Sequence, residues 1–360
     1  MQALPWWEPQ LGEEEAEAVA RVVRSGYINE GQETAKFTET VGAALGVKHV
    51  LATTSGTVAL ILALKACGVK PGDEVIIPDL TFIATANAVA FCGAKPVLVD
   101  IRLEDLNIDP KNIEDVVSNR TRAIIPVHIN GRAADLNAIR TIAERHGLAI
   151  IEDAAQALAS YSNERALGTI GDVGAISLAP TKIITSGQGG LVMTNRDDIH
   201  DQVVRLKDHG RLSRSWNYHP EIGFNFKYTD VLAAIALVQF GHLEDRKKLV
   251  QRHYALYREA LSDLEPITFI ETDINGGTVP LWVDALVDDA SALIDHLKNN
   301  NIQCRPFWPA IHTQAPYQTT ISLSKSLYAA THGVWFPSGI GKTDADIEKV
   351  VEVVRSYLTA

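Results

Sequence analysis

The chain has 360 residues, 46% of them hydrophobic and 21% charged, enough to bury a large core in two domains or one large and one small. Its 33 basic and 44 acidic residues leave a formal charge of −11, which argues against a general nucleic-acid or anionic-membrane binder. Three widely spaced cysteines, Cys67, Cys92 and Cys304, form no CxxC pair, so neither a disulfide framework nor a zinc site is expected, and a cytoplasmic location fits.

The first seven residues lack a basic region followed by an apolar core and do not read as a signal peptide. From about residue 49 to 210, short Val/Ile-rich runs alternate with helical patterns. Strands are expected at 49–53, 74–77, 96–99, 123–127, 148–152, 173–178 and 190–193, with helices between most of them, such as 58–66 and 136–146. Near-continuous apolar strands separated by helices predict an α/β fold: a mostly parallel seven-stranded sheet covered on both faces. Residues 230–262 read as one long, bent helical pattern linking two domains. The apolar run 231–240 inside it is too short to span a bilayer. A strand at 279–283, a helix at 290–299, a strand at 302–306 and a last helix at 343–358 predict a small α+β domain. The expected division is 1–245 and 246–360, with no repeat, low-complexity run or long linker.

Several residues fall where strands end, which is where doubly wound sheets bind ligands. Thr54-Ser55-Gly56-Thr57 follows the first strand and opens a helix, whose free N–H groups can cradle an anion. Alone, that run also reads as an ordinary serine cap. No GxGxxG follows the strand, and Gly187-Gln188-Gly189-Gly190 leads into a strand, so neither is a nucleotide loop. Phe82, just past the second strand, is placed to stack on a flat ring, or simply to sit in the core. Asp153 ends the fifth strand, and Gln156 follows it by three residues. Lys182 lies among small residues on the loop between Ser177 and Gly190. Taken singly, Asp153 caps a helix and Lys182 is a solvated surface lysine. Together, a strand-end carboxylate and a lysine in a Ser-x(4)-Lys-x(4)-Gly run suit pyridoxal 5′-phosphate (PLP). The lysine bonds the cofactor as a Schiff base, and the aspartate keeps its pyridine nitrogen protonated.

Further runs complete the pattern: Ser25-Gly26-Tyr27-Ile28, Pro71 to Pro78, Val127-His128-Ile129-Asn130-Gly131, Glu152 to Ala157, Gly223 to Lys227, and Arg305-Pro306 through His312 to Tyr317. Over nearly its whole length the chain resembles the StrS/DegT-type sugar-nucleotide aminotransferases, PLP enzymes of fold type I. That resemblance implies that Gly56 and Thr57 hold the cofactor phosphate with Ser177. It implies that Phe82 stacks on the ring, Asp153 pairs with the ring nitrogen and Gln156 approaches the ring oxygen. Lys182 then carries the cofactor and shuttles the proton. Asn225 reaches the phosphate in the neighbouring subunit, so the active sites are shared across a homodimer. His219 and His312 match positions near the sugar nucleotide, and no metal is implied. The chain departs from the family pattern at Ala179, where many relatives have His or Phe, and at Lys227, where many have Arg.

Tyr218-His219 before Ile222-Gly223 resembles the perosamine-synthase-like branch. This implies transfer from L-glutamate to C4 of a 4-keto-6-deoxyhexose on GDP, UDP or dTDP, in deoxyamino-sugar synthesis of the lipopolysaccharide O-antigen kind. Family dehydratases carry histidine in place of the lysine, so Lys182 favours transamination over dehydration. The sugar-type motif at His312 argues against an amino-acid transaminase. A non-catalytic regulatory homologue is disfavoured because no DNA-binding extension or basic arm appears.

Overall fold

The computed structural model describes residues 3–213 and 217–359. Two helices lead, α1 (Glu13–Ser25) and α2 (Gln32–Leu45). The first sheet and its cover follow: β1 (His49–Thr53), α3 (Gly56–Ala66), β2 (Glu74–Pro78), α4 (Ala84–Phe91), β3 (Lys95–Val99), β4 (Thr121–Ile124), α5 (Leu136–His146) and β5 (Ala149–Asp153). After a small hairpin, β6 (Tyr161–Ser162) and β7 (Arg165–Ala166), come β8 (Val173–Ser177), β9 (Gly190–Thr194) and α6 (Asp197–Leu206).

The sheet has seven strands in the order β1-β9-β8-β5-β4-β2-β3. Pairings from β8 through to β3 are parallel, and β9 runs antiparallel to both its neighbours. Apolar side chains on both faces explain why the strands are buried on both sides: separate clusters form around Leu60 to Leu64 and around Ile139 to Ala143. Because β9 returns directly beside β8, Gly190 pairs with Ser177. The intervening loop, which carries Lys182, is thereby held at the edge where the parallel strands end.

The linking helical stretch is two helices, α7 (Asp230–Gly241) and α8 (Leu243–Leu261). They part at His242, just after Gly241, where a residue without a side chain weakens the helix. The Asp230 carboxylate caps α2, accepting from the Gly31 and Thr34 amides and the Thr34 hydroxyl.

Beyond α8 come β10 (Ile267–Phe269), β11 (Val283–Val287), α9 (Ala290–Asn299), β12 (Arg305–Pro306), α10 (Ser324–His332), β13 (Gly333–Phe336) and α11 (Asp344–Leu358). Their sheet, β10-β11-β13-β12, is antiparallel throughout. It packs against α8, α9 and α11 around Tyr257, Leu293, Phe336 and Val350.

Three of the expected strands differ by more than a residue at an end, and β6, β7, β10 and β13 have no expected counterpart. The strand expected at 279–283 begins only at Val283. Upstream, side chains of the first sheet's loops take the backbone groups: Ser160 Oγ accepts from the Val279 amide, and Asn130 Oδ1 from the Trp282 amide. The strand expected at 302–306 shrinks to Arg305–Pro306, because Ile302 forms a parallel bridge with Leu4 instead. The strand expected at 123–127 shifts to Thr121–Ile124, and Val127 survives as an isolated bridge to Asp153 beyond Pro126, which has no N–H to donate. Among the described residues no helix is long and apolar enough to cross a membrane.

Candidate active site

At the edge where the parallel strands end, Ser55 caps α3 by accepting the Val58 amide at 3.2 Å. Gly56 lies against the end of β8. A Cβ there would stand 2.8 Å from Ser177 Cβ and 3.2 Å from its Cα, so a side chain would push the two elements apart. The Gly56 and Thr57 amides lie in the first helical turn, ahead of the intrahelical bonds, and make a seat for an anion. Ser177 Oγ accepts the Ala179 amide at 3.3 Å and keeps its own hydrogen to donate.

Asp153 is buried at the end of β5. Its Oδ2 accepts from Thr85 Oγ1 at 2.7 Å and its Oδ1 from the Ala155 amide at 3.1 Å. Burial, the largest influence, raises its pKa, and these bonds and the Lys182 charge only partly offset the rise. An interior carboxylate so weakly compensated is suited to a further cationic partner, such as a protonated pyridine nitrogen. Lys182 is half-buried, and burial lowers its amine to about 8 while Asp153 acts in the opposite direction. Its Nζ stands over the Trp282 ring, 5.2 Å from the centroid. Lys182, Gln156 and Ser177 line one narrow cleft with Ala155 and, from before β11, Val279 and Leu281. Gln156 is held there by the Asn130 amide, which donates to its Oε1 at 3.0 Å. The seat for a phosphate, the buried carboxylate and the amine in the cleft together fit PLP.

A layer behind the cleft steadies the end of β5. Glu152 accepts amides from Gly168, Ile170 and Gly171 and a bond from His128 Nε2 at 2.8 Å. Burial raises its pKa, but the bond and charge of His128 and these amides hold the carboxyl below its ordinary value.

The remaining expected residues divide. Phe82 is 53% exposed, its ring 5.9 Å from that of Trp308, leaving a face open beside the end of β2. His312 is tied to the same strand end: Asp79 accepts its backbone amide at 2.8 Å and contacts its Nδ1 at 2.6 Å. Burial, the largest influence, raises the Asp79 carboxyl despite that contact. His219 and Asn225 do not line the Lys182 cleft. His219 sits on an outer loop, against His209 O and Asn217 Oδ1. Asn225 is exposed and bridges Asp208, on a strip that reaches Thr53 through Lys227. Lys227 itself pairs with Asp208 at 2.6 Å. Thr85, Asn130 and Trp282 have no site role expected from sequence. Thr85 stands in the run flanking Phe82, but Trp282 lies about a hundred residues past Lys182 and carries no local signal.

The chain matches the family model described as the DegT/DnrJ/EryC1/StrS aminotransferase family over residues 9–355. It is 34% identical to a GDP-perosamine synthase of Caulobacter vibrioides, with 97% of each chain covered. It is 32% identical to another from Vibrio cholerae, covering 98% of this chain and 99% of that one. Among solved structures, the aminotransferase TlmJ from Streptoalloteichus hindustanus matches with a TM-score of 0.95 at 28% identity over 99% of both chains.

Proposed function

Since the chain belongs to the DegT/DnrJ/EryC1/StrS aminotransferase family and is a PLP-dependent sugar aminotransferase, we propose that it moves an amino group from L-glutamate to C4 of a nucleotide-linked 4-keto-6-deoxyhexose. GDP is the leading nucleotide, after the two perosamine synthases it is similar to. The observation that carries the reading is the Lys182 amine in a cleft lined also by Gln156 and Ser177, beside the start of α3 and within electrostatic reach of the buried Asp153 carboxylate.

When bound, PLP supplies an electron sink for the carbon that loses its proton. The chain's own groups do the rest. The Gly56 and Thr57 amides and the Ser177 hydroxyl bind the phosphate. Asp153 holds a proton at the ring nitrogen, Phe82 covers one face of the ring and Gln156 orients its oxygen. Lys182 takes the proton from the donor's α-carbon and later returns one to the sugar carbon; its lowered pKa puts free amine and ammonium within reach of each other near neutrality. His312 and His219 contact the sugar nucleotide. Asn225 completes the phosphate site of a second copy, so the working unit is a homodimer. What supports this is its exposure beside two solvent-facing apolar side chains, Ile222 at 84% and Phe224 at 49%.

Mass spectrometry of reactions containing L-glutamate and each candidate nucleotide-linked keto sugar tests the reading. The expected product is the 4-amino sugar nucleotide together with 2-oxoglutarate. Amination at C3, or turnover of free keto acids alone, would overturn the proposed substrate.

A further inference from the structure

We propose that Trp282 is a positioning residue for Lys182: its indole face is where the lysine amine rests whenever it is released from the cofactor. The inference rests on the PLP reading of the site. The contact itself is the 5.2 Å approach of Lys182 Nζ to the indole centroid, within the range at which a cation is held by a ring face.

The indole is fixed from several sides. Trp6, Trp308 and Trp335 pack around it, with centroids at 5.4, 5.8 and 5.1 Å. Its backbone is clamped by one side chain: Asn130 Oδ1 accepts the Trp282 amide at 2.6 Å, and Asn130 Nδ2 donates to the Trp282 carbonyl. Two residues further along both segments, Arg132 and Asp284 form a buried bidentate pair at 3.0 and 2.7 Å. Asn130 holds Gln156 in the Lys182 cleft at the same time. Trp282 therefore enters the site from the segment leading into β11 but is registered against the loops of the first sheet.

Packing alone does not call for tryptophan here. The Trp282 indole N–H is buried and finds no hydrogen-bond partner among the described residues. Phenylalanine or leucine would leave no unpaired donor in that position. What only the indole offers is the broadest electron-rich face. Such a face suits a group that must hold a proton and give it back. When Lys182 takes the proton from the α-carbon, the C–H electron pair stays on the carbon and the nitrogen becomes an ammonium. The ring attracts that ammonium without offering a base to remove the proton. Asp153 is the one charged group acting on Lys182 among the described residues, and its carboxylate is committed to Thr85 and the Ala155 amide.

The test begins with cofactor-free protein. Lys182 is titrated by the pH dependence of its acetylation with acetic anhydride, read by mass spectrometry of the Lys182 peptide. The wild-type midpoint is expected at about 8. Trp282→Leu keeps the surroundings dry but removes the ring face, so its midpoint should fall by roughly half to one pH unit. Trp282→Ala admits water, so its midpoint should rise toward that of an ordinary lysine. Opposite shifts in the two variants are what a merely structural residue would not produce. A leucine midpoint at or above wild type overturns the proposal. Should that variant fail to fold, Trp282→Phe decides: a shift downward, smaller than that predicted for leucine, supports the contact, and no shift or a rise refutes it. In the holoenzyme, Asn130→Gly tolerates the local φ of 53° but loosens the indole. It should lower kcat several-fold with the KM for glutamate retained; unchanged kcat counts against the clamp. Borohydride reduction of the wild-type holoenzyme separates the two readings. A pyridoxyl group found elsewhere than on Lys182 would refute the cofactor assignment while leaving the cofactor-free titration to judge the contact.

Discussion

At the scale of single residues, the site places two titratable groups where burial works against the charge of each. In the proposed role Lys182 would bond the cofactor only as free amine, so the rate of cofactor capture by the cofactor-free chain should rise with pH and level off above about 8. Asp153 raises that amine's pKa, so Asp153→Asn should move the bend to lower pH; stopped-flow absorbance across pH checks this. Asp153 also bears on stability. Its pKa is raised in the folded state, so the folded chain holds the proton more tightly than the unfolded chain. Stability therefore falls as pH rises from the ordinary aspartate value through the raised one. Once ionised, the carboxylate is a net destabilising group until a cation beyond Lys182 meets it. Asp153→Asn is expected to leave the cofactor-free melting temperature unchanged or higher while slowing turnover roughly a hundredfold or more. A lower melting temperature together with near-normal turnover would remove Asp153 from the proposed role.

At the scale of elements, the site exists because strand ends and one helix start converge. α3 starts against β8 only because Gly56 has no Cβ to meet Ser177, and Gly190 is equally confined, its would-be Cβ 2.4 Å from Ser55 O. Gly56→Ala should force the two apart, destabilise the fold by about 1–3 kcal/mol, and weaken PLP binding at least roughly tenfold, a factor worth about 1.4 kcal/mol. Ser177→Ala removes one donor without a clash, so it should weaken binding less and leave the melting temperature nearly unchanged. Cofactor titration and thermal melts of both variants distinguish a steric effect from a lost hydrogen bond. Equal losses in the two would mean that the helix start is not the phosphate seat.

At the scale of the whole molecule, the two sheets are joined by a few buried polar ties. Arg132 and Asp284 are nearly inaccessible, and Arg132→Ala would leave the carboxylate buried without its partner. The expected loss is about 3–5 kcal/mol, read from denaturant unfolding. A loss below about 1 kcal/mol would show that water reaches Asp284 and that the tie is not dry. The proposed homodimer makes a separate demand. If Asn225 serves the neighbouring copy, mixing Asn225→Ala with Lys182→Ala subunits should restore activity, because a hybrid dimer has one site with both residues intact. Given demonstrated subunit exchange and inactive parents, a mixture that stays inactive would confine Asn225 to its own chain or to no role.

Much of the first sheet was legible because its signals are local. Strand β1 and helix α5 fall on the residues that period and apolar runs predict, β2, β3, β8 and β9 differ by a residue at one end, and β5 is shifted by one residue. Asp153, Ser177 and Lys182 stood out because cofactor chemistry asks for particular residue types at strand ends, and strand ends are visible in one dimension. The helices α1 and α2 passed unassigned, although their glycine-flanked, amphipathic patterns were there to find. The later start of β11 was not there to find. Its upstream amides are taken by Ser160 and Asn130, side chains more than a hundred residues away. The same holds for Thr85 on Asp153, His312 on Asp79 and Trp282 over Lys182. Residue type and position along the chain were enough to propose the reactive groups and to mark the sheet edge that presents them. Only the tertiary structure decided what surrounds those groups, because contacts between distant segments follow from how two sheets pack and leave no periodic trace in the chain.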